Sequence, residues 1–284
     1  MTISSTTTST NSNDSTSPVN IINVWKWNLR EEFVRINEIV QKYDYVSVDT
    51  EFPGVVATPI GETKNKQEFN FRQLILNVAM LKLIQVGIAF MDEDGNLPPG
   101  KPIWQFNFEF DLHGDMYSTA SVNLLKKCGI DFEKHKTDGI SMLDFGELLT
   151  TSGLLANPRI HWLSFGSSFD FSYLIKAILC RQPPEDKEKF FSLFKTLFPS
   201  CIDIRVMLDQ PGPSSVLLRG GLQEIASMLQ VERIGAQHTA GSDALLTAKT
   251  YFTIKQRFFN NNWDEVFKKI RCELSGLSPS PEVN

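Results

Sequence analysis

The sequence predicts a single α/β domain, a mixed β-sheet flanked by α-helices. Apolar runs of strand length alternate with segments of helical periodicity. Two of the runs, 83–91 and 103–110, lie close enough to pair as an antiparallel hairpin. No internal repeat, heptad run or break in composition divides the chain. With 284 residues, 42% of them hydrophobic and 21% charged, it is long enough to bury a substantial core.

Taken in order, residues 1–20 are rich in Ser and Thr and carry too few apolar side chains to offset the entropy of ordering, so a disordered tail is expected. Asn28 is placed to cap a helix whose apolar positions Leu29, Phe33, Ile36, Ile39 and Val40 recur at helical spacing, with Glu31 and Glu32 at its positive end. Residues 45–51 read as a strand covered on both faces, stopped by Pro53-Gly54, and 52–66 as a Gly-, Pro- and Thr-rich loop. Phe71, Leu74, Ile75, Val78 and Leu81 mark the next helix.

An apolar strand over 83–91 enters the turn Asp92-Glu93-Asp94-Gly95-Asn96, and an aromatic strand follows over 103–110. In that strand Gln105 and Asn107 alternate with Trp104, Phe106, Phe108 and Phe110, the pattern of a half-exposed strand. Helices are expected over 118–127 and 140–152, the second with Leu143, Phe145, Leu148 and Leu149 spaced for burial. A strand over 160–165 leads through Gly166-Ser167-Ser168 into a helix over 169–180, ended by Pro183-Pro184. A helix over 186–197, a short strand over 202–204, a helix opened by Gly220-Gly221 with Leu222, Ile225, Met228 and Leu229, and a long helix over 241–259 complete the domain. The expected boundaries are 21–275 for the domain and 276–284 for a loose Ser/Pro-rich tail.

The chemistry sits at the end of the strand 45–51. Asp49 and Glu51 are two residues apart, so their side chains share one face and can converge on one cation. With 33 acidic residues, about four acid-x-acid pairs are expected by chance, so the spacing alone does not single out Asp49/Glu51 among the pairs of the chain. Context separates them: Asp92/Asp94 fall in a turn, Asp186/Glu188 begin a solvated helix, and Glu109/Asp111 continue the half-exposed strand. Asp170 lies near a helix start after a strand, where a carboxylate also complements the helix dipole. Asp243 opens the last long helix five residues after His238, and an imidazole on the intervening loop suits a general base near neutral pH. His113, His135 and His161 lack metal-ligand spacing and read as structural.

Other classes find no support. There is no P-loop, no G-x-G-x-x-G and no G-x-S-x-G, which leaves nucleotide-cofactor and serine-hydrolase chemistry without a motif. The net charge of -5 argues against a protein that holds nucleic acid by a basic surface, but not against a site where metal ions supply the positive charge. Cys128, Cys180, Cys201 and Cys272 are scattered, as in a reducing compartment. No apolar run approaches membrane-spanning length and residues 1–20 hold no Lys or Arg, so no membrane role or secretion signal is expected.

Acids on a strand D-x-E, at a helix start and in an H-x-x-x-x-D element, in that order, resemble the DEDDh class of two-metal 3′-to-5′ exonucleases. The wording around them narrows the resemblance: Val48-Asp49-Thr50-Glu51-Phe52-Pro53-Gly54, Trp162-Leu163-Ser164-Phe165 with Phe169-Asp170-Phe171, Gly220-Gly221-Leu222-Gln223, and Arg233-Ile234-Gly235 ahead of His238 and Ala240-Gly241-Ser242-Asp243. Together these are similar to the Caf/Pop family of deadenylases, the ribonuclease-fold catalytic subunit of the Ccr-Not complex, over about residues 21–260.

The resemblance implies a ribonuclease-H-like mixed sheet flanked by α-helices. It further implies Asp49, Glu51, Asp170 and Asp243 as ligands of two divalent cations, Mg²⁺ or Mn²⁺, and His238 as general base. The implied activity is 3′-to-5′ shortening of single-stranded poly(A) RNA with release of 5′-AMP. Implied partners are the large helical scaffold subunit of the Ccr-Not complex and a second deadenylase of a different fold, and the implied localisation is cytoplasmic and nuclear. A general single-strand exonuclease and a weakly active scaffold subunit of the same complex are the alternatives. The second is motivated by one departure: where the family usually has His-Ser-Gly-Tyr-Asp, this chain has Gly166-Ser167-Ser168-Phe169-Asp170. Asp203 is given a supporting role or none.

Overall fold

The computed structural model describes residues 18–277 apart from 212–213 and 215–216. Six strands form one mixed sheet: β1 (Asn20–Val24), β2 (Tyr45–Glu51), β3 (Gln85–Met91), β4 (Pro102–Asn107), β5 (His161–Ser164) and β6 (Cys201–Asp203), in the order β1-β4-β3-β2-β5-β6. β2, β3 and β4 pair antiparallel, whereas β1 joins β4, β5 joins β2 and β6 joins β5 in parallel. β2 lies in the middle of the sheet and is covered on both faces, so Val46, Ser47 and Val48 are all buried.

Strand alternation sorts β2 cleanly. Val46 and Val48 point into a core shared with α1 (Leu29–Ile39), α2 (Lys66–Met80), α5 (Met142–Thr151) and α6 (Ser168–Leu179). Ser47 points to the opposite face, where its hydroxyl donates to the Ala244 carbonyl at 2.7 Å. Ala244 belongs to α10 (Ala240–Ile254), which crosses that face and is continued by a π turn at Lys255–Phe259. A second core lies beneath α10, built from Ala89, Ile103, Leu163 and Ile202 of the sheet with Leu245, Tyr251 and Ile254 of the helix.

Two contacts set how closely α10 approaches. A Cβ on Gly87, the cross-strand partner of Asp49, would lie 1.8 Å from the Ala240 carbonyl oxygen, so only glycine fits there. Gln85 and Gln105 then present their Oε1 atoms to the N–H groups of Ala240 and Gly241, at 3.2 and 3.1 Å. These amides take the place of intrahelical acceptors that the first turn of a helix lacks.

Several expectations are corrected. Gln105 and Asn107 do not face solvent: both are buried, in an amide cluster with Gln85 and Asn23 beside the start of α10. β4 also ends at Asn107, short of Glu109 and Asp111. Leu143 and Met228 are exposed while Phe145, Leu149, Ile225 and Leu229 are buried, because each helix turns a narrower stripe inward than the spacing suggested. Glu32 is not a solvated dipole partner, since it is buried and accepts from Trp104 Nε1 at 2.9 Å. Asn28 does precede α1, but its Oδ1 accepts from the Trp25 N–H behind it and not from the helix ahead.

Further elements escape periodicity because they are short or lie at an edge: β1, α4 (Phe132–Asp138), α8 (Ile204–Leu208) and α11 (Trp263–Ile270). The remaining helices are α3 (Thr119–Lys127), α7 (Lys187–Leu197) and α9 (Leu222–Met228). Of the two expected tails, residues 1–17 and 278–284 lie outside the described residues. At their inner ends Asn20 is already in a strand and Leu277 is buried, its carbonyl accepting from Lys187 Nζ at 2.8 Å.

Candidate active site

β2 and β5 run parallel, so their C-terminal ends open on the same edge of the sheet, the usual place for a site in an open α/β fold. β2 delivers Asp49 and Glu51 there. β5 delivers Gly166 and Ser167 and then the first turn of α6, which carries Asp170. α10, held over β3 at Gly87, brings Asp243 in its first turn and His238 on the preceding loop.

The structure therefore draws together groups spread over almost two hundred positions of sequence. Glu51, His238 and Asp243 each offer a ligand atom within 4.8 Å of the others. Asp49, Glu51, His238 and Asp243 line an open cleft of about 500 Å³ with Thr50, Phe165, Gln223 and Arg233. Asp170 is buried against that wall, its Oδ1 accepting from the Thr50 hydroxyl at 2.7 Å. Phe52 and Phe169, the neighbours of Glu51 and Asp170, stack with ring centroids 4.7 Å apart and so tie the two acid-bearing elements together.

Crowded carboxylates raise one another's proton affinity. Burial, followed by the charges of Asp170, Asp243 and Glu51, holds Asp49 well above the usual carboxylate range. Burial and then the charges of Asp243 and Asp170 push Glu51 up to about 8. Asp170 is pushed up to about 6, burial being the main cause and the Thr50 hydrogen bond opposing it. A single guanidinium, Arg233, lowers the values of Asp49 and Glu51. The site is short of positive charge. Four hard oxygen donors and one imidazole around an open cleft form a donor set that fits small divalent cations.

Arg233 escaped the sequence reading. It quotes within a motif, yet nothing in its spacing announces that Nη1 pairs with Asp243 Oδ1 at 2.7 Å and donates to Ser242 Oγ at 2.9 Å, or that Nε donates to Gln223 Oε1. Gln223 comes from α9, so one guanidinium clamps α9, the His238 loop and the start of α10 into a common wall. Thr50, the residue between the two β2 acids, likewise carries no signal in the sequence and acts through its hydroxyl on Asp170.

Asp203 lies outside the cleft and organises it. Buried at the end of β6, its Oδ1 accepts from Gly166 N at 2.8 Å and Arg205 N at 3.0 Å, and its Oδ2 from Ser275 N at 3.0 Å and Ser167 N at 3.4 Å. The turn that starts α6 is thereby fixed, and with it Asp170. Gly166 adopts φ of +67°, which favours glycine, although a Cβ there would meet only Arg205 Cγ at 3.6 Å. Of the other histidines, His161 stacks on Tyr45, His135 bonds the Phe108 carbonyl, and His113 is exposed, all away from the acids.

Known proteins place this arrangement. The profile of the CAF1 family ribonuclease matches residues 24–147. Over 262 residues the chain is 50% identical to CCR4-NOT transcription complex subunit 7 of Caenorhabditis elegans, covering 92% of this chain and 84% of that protein. It is 45% identical over 264 residues to the poly(A) ribonuclease pop2 of Schizosaccharomyces pombe, covering 93% and 76%. Among solved structures, S. pombe Pop2p in its Mg²⁺- and Mn²⁺-bound form aligns with a TM-score of 0.85 at 44% identity over 90% of this chain and 99% of that one. A chain in the structure of the yeast NOT1 MIF4G domain co-crystallized with CAF1 aligns with a TM-score of 0.73 at 28% identity, covering 90% of this chain and 96% of that one. Exonuclease I of E. coli, with a TM-score of 0.53 at 13% identity over 79% and 42%, shares the fold alone.

Proposed function

This chain belongs to the CAF1 family of ribonucleases, and from that premise we propose that it shortens poly(A) tails of RNA from the 3′ end, releasing 5′-AMP. The observation that carries the proposal is the convergence of Glu51, His238 and Asp243 within 4.8 Å, beside Asp49 and Asp170, in an open cleft.

In this proposal Asp49, Glu51, Asp170 and Asp243 hold two divalent cations, Mg²⁺ or Mn²⁺, the ions named for the S. pombe relative. Bound there, the ions would polarise the scissile phosphate and offset charge on the departing 3′ oxygen. The chain's own groups do the rest. His238, on a loop at the lip of the cleft, takes a proton from the attacking water. Arg233 fixes the Asp243 carboxylate, and Thr50 fixes that of Asp170, so that neither swings when substrate enters.

The chain is also proposed to work as a subunit of a Ccr-Not complex, supported by the name of its C. elegans relative and by the MIF4G domain bound to the yeast relative. A helical scaffold of that kind is the proposed partner, together with a second deadenylase of different fold, in cytoplasm and nucleus. Incubation with RNA carrying a 3′ oligo(A) tail and Mg²⁺ should give a descending ladder that Asp49→Ala abolishes. A folded wild-type protein that leaves the tail intact with every divalent ion tried would reject the function.

A further inference from the structure

Phe165 belongs to the wall of the catalytic cleft, and the side chain that lies against it comes from the neighbouring strand. β5 and β6 run parallel with Ser164 opposite Asp203, so the residues that follow the two strands emerge side by side, at the edge of the sheet where the acids gather. Phe165 is the first residue after β5, and Arg205 stands in the first turn of α8, just beyond β6. The guanidinium carbon of Arg205 lies 4.8 Å from the centre of the Phe165 ring, within reach of a cation–π contact.

A guanidinium turns its flat face to such a ring and keeps its N–H donors in its own plane, so stacking holds the group in place without using any of them. Among the described residues the Arg205 side chain has no carboxylate partner and no hydrogen bond; it is the backbone N–H of Arg205 that serves Asp203, at 3.0 Å. The other arginine of the cleft, Arg233, is committed to Asp243, Ser242 and Gln223. Arg205 is therefore a cation with a fixed position and free donors, resting on a residue of the cleft wall.

The departure at Gly166 keeps this group open. Gly166 is exposed, and a Cβ on it would touch Arg205 Cγ at 3.6 Å and nothing else, so the arginine stem runs beside a position that carries no side chain. The family wording has an imidazole there. We propose that Arg205 is the cation at the lip of this cleft and that it takes a backbone phosphate of the single-stranded RNA, on the side where the family wording places the histidine. A phosphate can accept two N–H groups in the guanidinium plane while Phe165 keeps one face of the group covered. Such a contact adds affinity and carries no base preference. The inference rests on the exoribonuclease function above and adds to it a binding residue outside the carboxylate set.

The test measures binding of 5′-labelled oligo(A) RNA to the full chain by fluorescence anisotropy over a series of KCl concentrations, with Asp49→Ala carried throughout so that the strand is held and not cut. Losing one phosphate contact lowers the steepness of log Kd against log salt by ~0.7 for a single strand. Adding Arg205→Gln should weaken binding roughly fivefold and lower the steepness by that amount. Arg205→Lys, which keeps the charge, should hold the steepness at that of the parent, and the loss in Arg205→Gln should be the same on oligo(C) as on oligo(A). A salt dependence unchanged in Arg205→Gln would overturn the proposal, as a merely structural stack on Phe165 predicts, and so would a loss confined to oligo(A). If binding depends on Arg205 as expected but the protein with Asp49 in place shortens no tail, the phosphate contact stands and the exoribonuclease function falls.

Discussion

Asp203→Asn changes one atom's chemistry just outside the cleft, and its cost follows from the geometry. The carboxylate serves four backbone N–H groups, two on each oxygen. An amide has only one acceptor oxygen, so whichever way it turns, two N–H groups of a fully buried site face an NH₂ donor. Hydrogen bonds to a charged acceptor contribute about 1.5–3 kcal/mol each, and the 3.4 Å contact from Ser167 contributes least. Burial already raises the proton affinity of Asp203, so desolvation of the charge offsets part of that sum. A net loss of ~3 kcal/mol is expected. Urea unfolding measures it as a lower midpoint at constant slope.

Function should fall as well, because the Gly166-Ser167 turn that starts α6 loses its tether and Asp170 with it. The rate of tail shortening should drop, and more Mg²⁺ should be needed to reach half of the maximal rate. A variant with wild-type midpoint and wild-type Mg²⁺ dependence would refute the role given to Asp203.

Thr50→Val removes the hydroxyl that lowers the proton affinity of Asp170, so the acid limb of the pH–rate profile should move to higher pH; an unmoved limb contradicts the 2.7 Å bond as a functional contact. Without metal, Glu51 near 8 and Asp170 near 6 both lie above their unfolded values, so their contribution to stability is complete at low pH and is lost as pH rises through about 6 and then about 8. The melting temperature of metal-free protein should therefore fall over that window, and Mg²⁺ should restore more of it at pH 8.5 than at pH 5.5; a metal effect independent of pH would count against the carboxylates as its source. Gly87→Ala places a methyl 1.8 Å from a backbone oxygen of α10 and should cost ~3 kcal/mol or more with loss of activity, both read from a melting curve and the tail assay.

Asp49 and Glu51 were legible from the covered strand that they end. Asp170 and Asp243 each sit in the first turn of a helix, where a carboxylate commonly complements the dipole, so it was the resemblance of the surrounding motifs that marked them. What stayed hidden depends on contacts between distant segments. Arg233 joins Asp243 and Gln223 through a tertiary clamp that no period encodes. Gln105 and Asn107 alternate as if solvated and are buried because α10 lies over them, its close approach permitted by Gly87. Asn20–Val24 is an edge strand that gains its pairing only from β4. The Gly166 loop departs from the family wording, yet the anchoring of its backbone by Asp203 leaves Asp170 in place, which is why the altered side chains did not displace the acid.

Calorimetric titration of metal-free protein with Mn²⁺ tests the central claim most directly. Two ions should bind per chain, and Asp49→Ala and Asp243→Asn, each verified as folded, should lose at least one of them. A folded wild-type protein that takes up no ion, or variants that bind as many as the wild type, would contradict it.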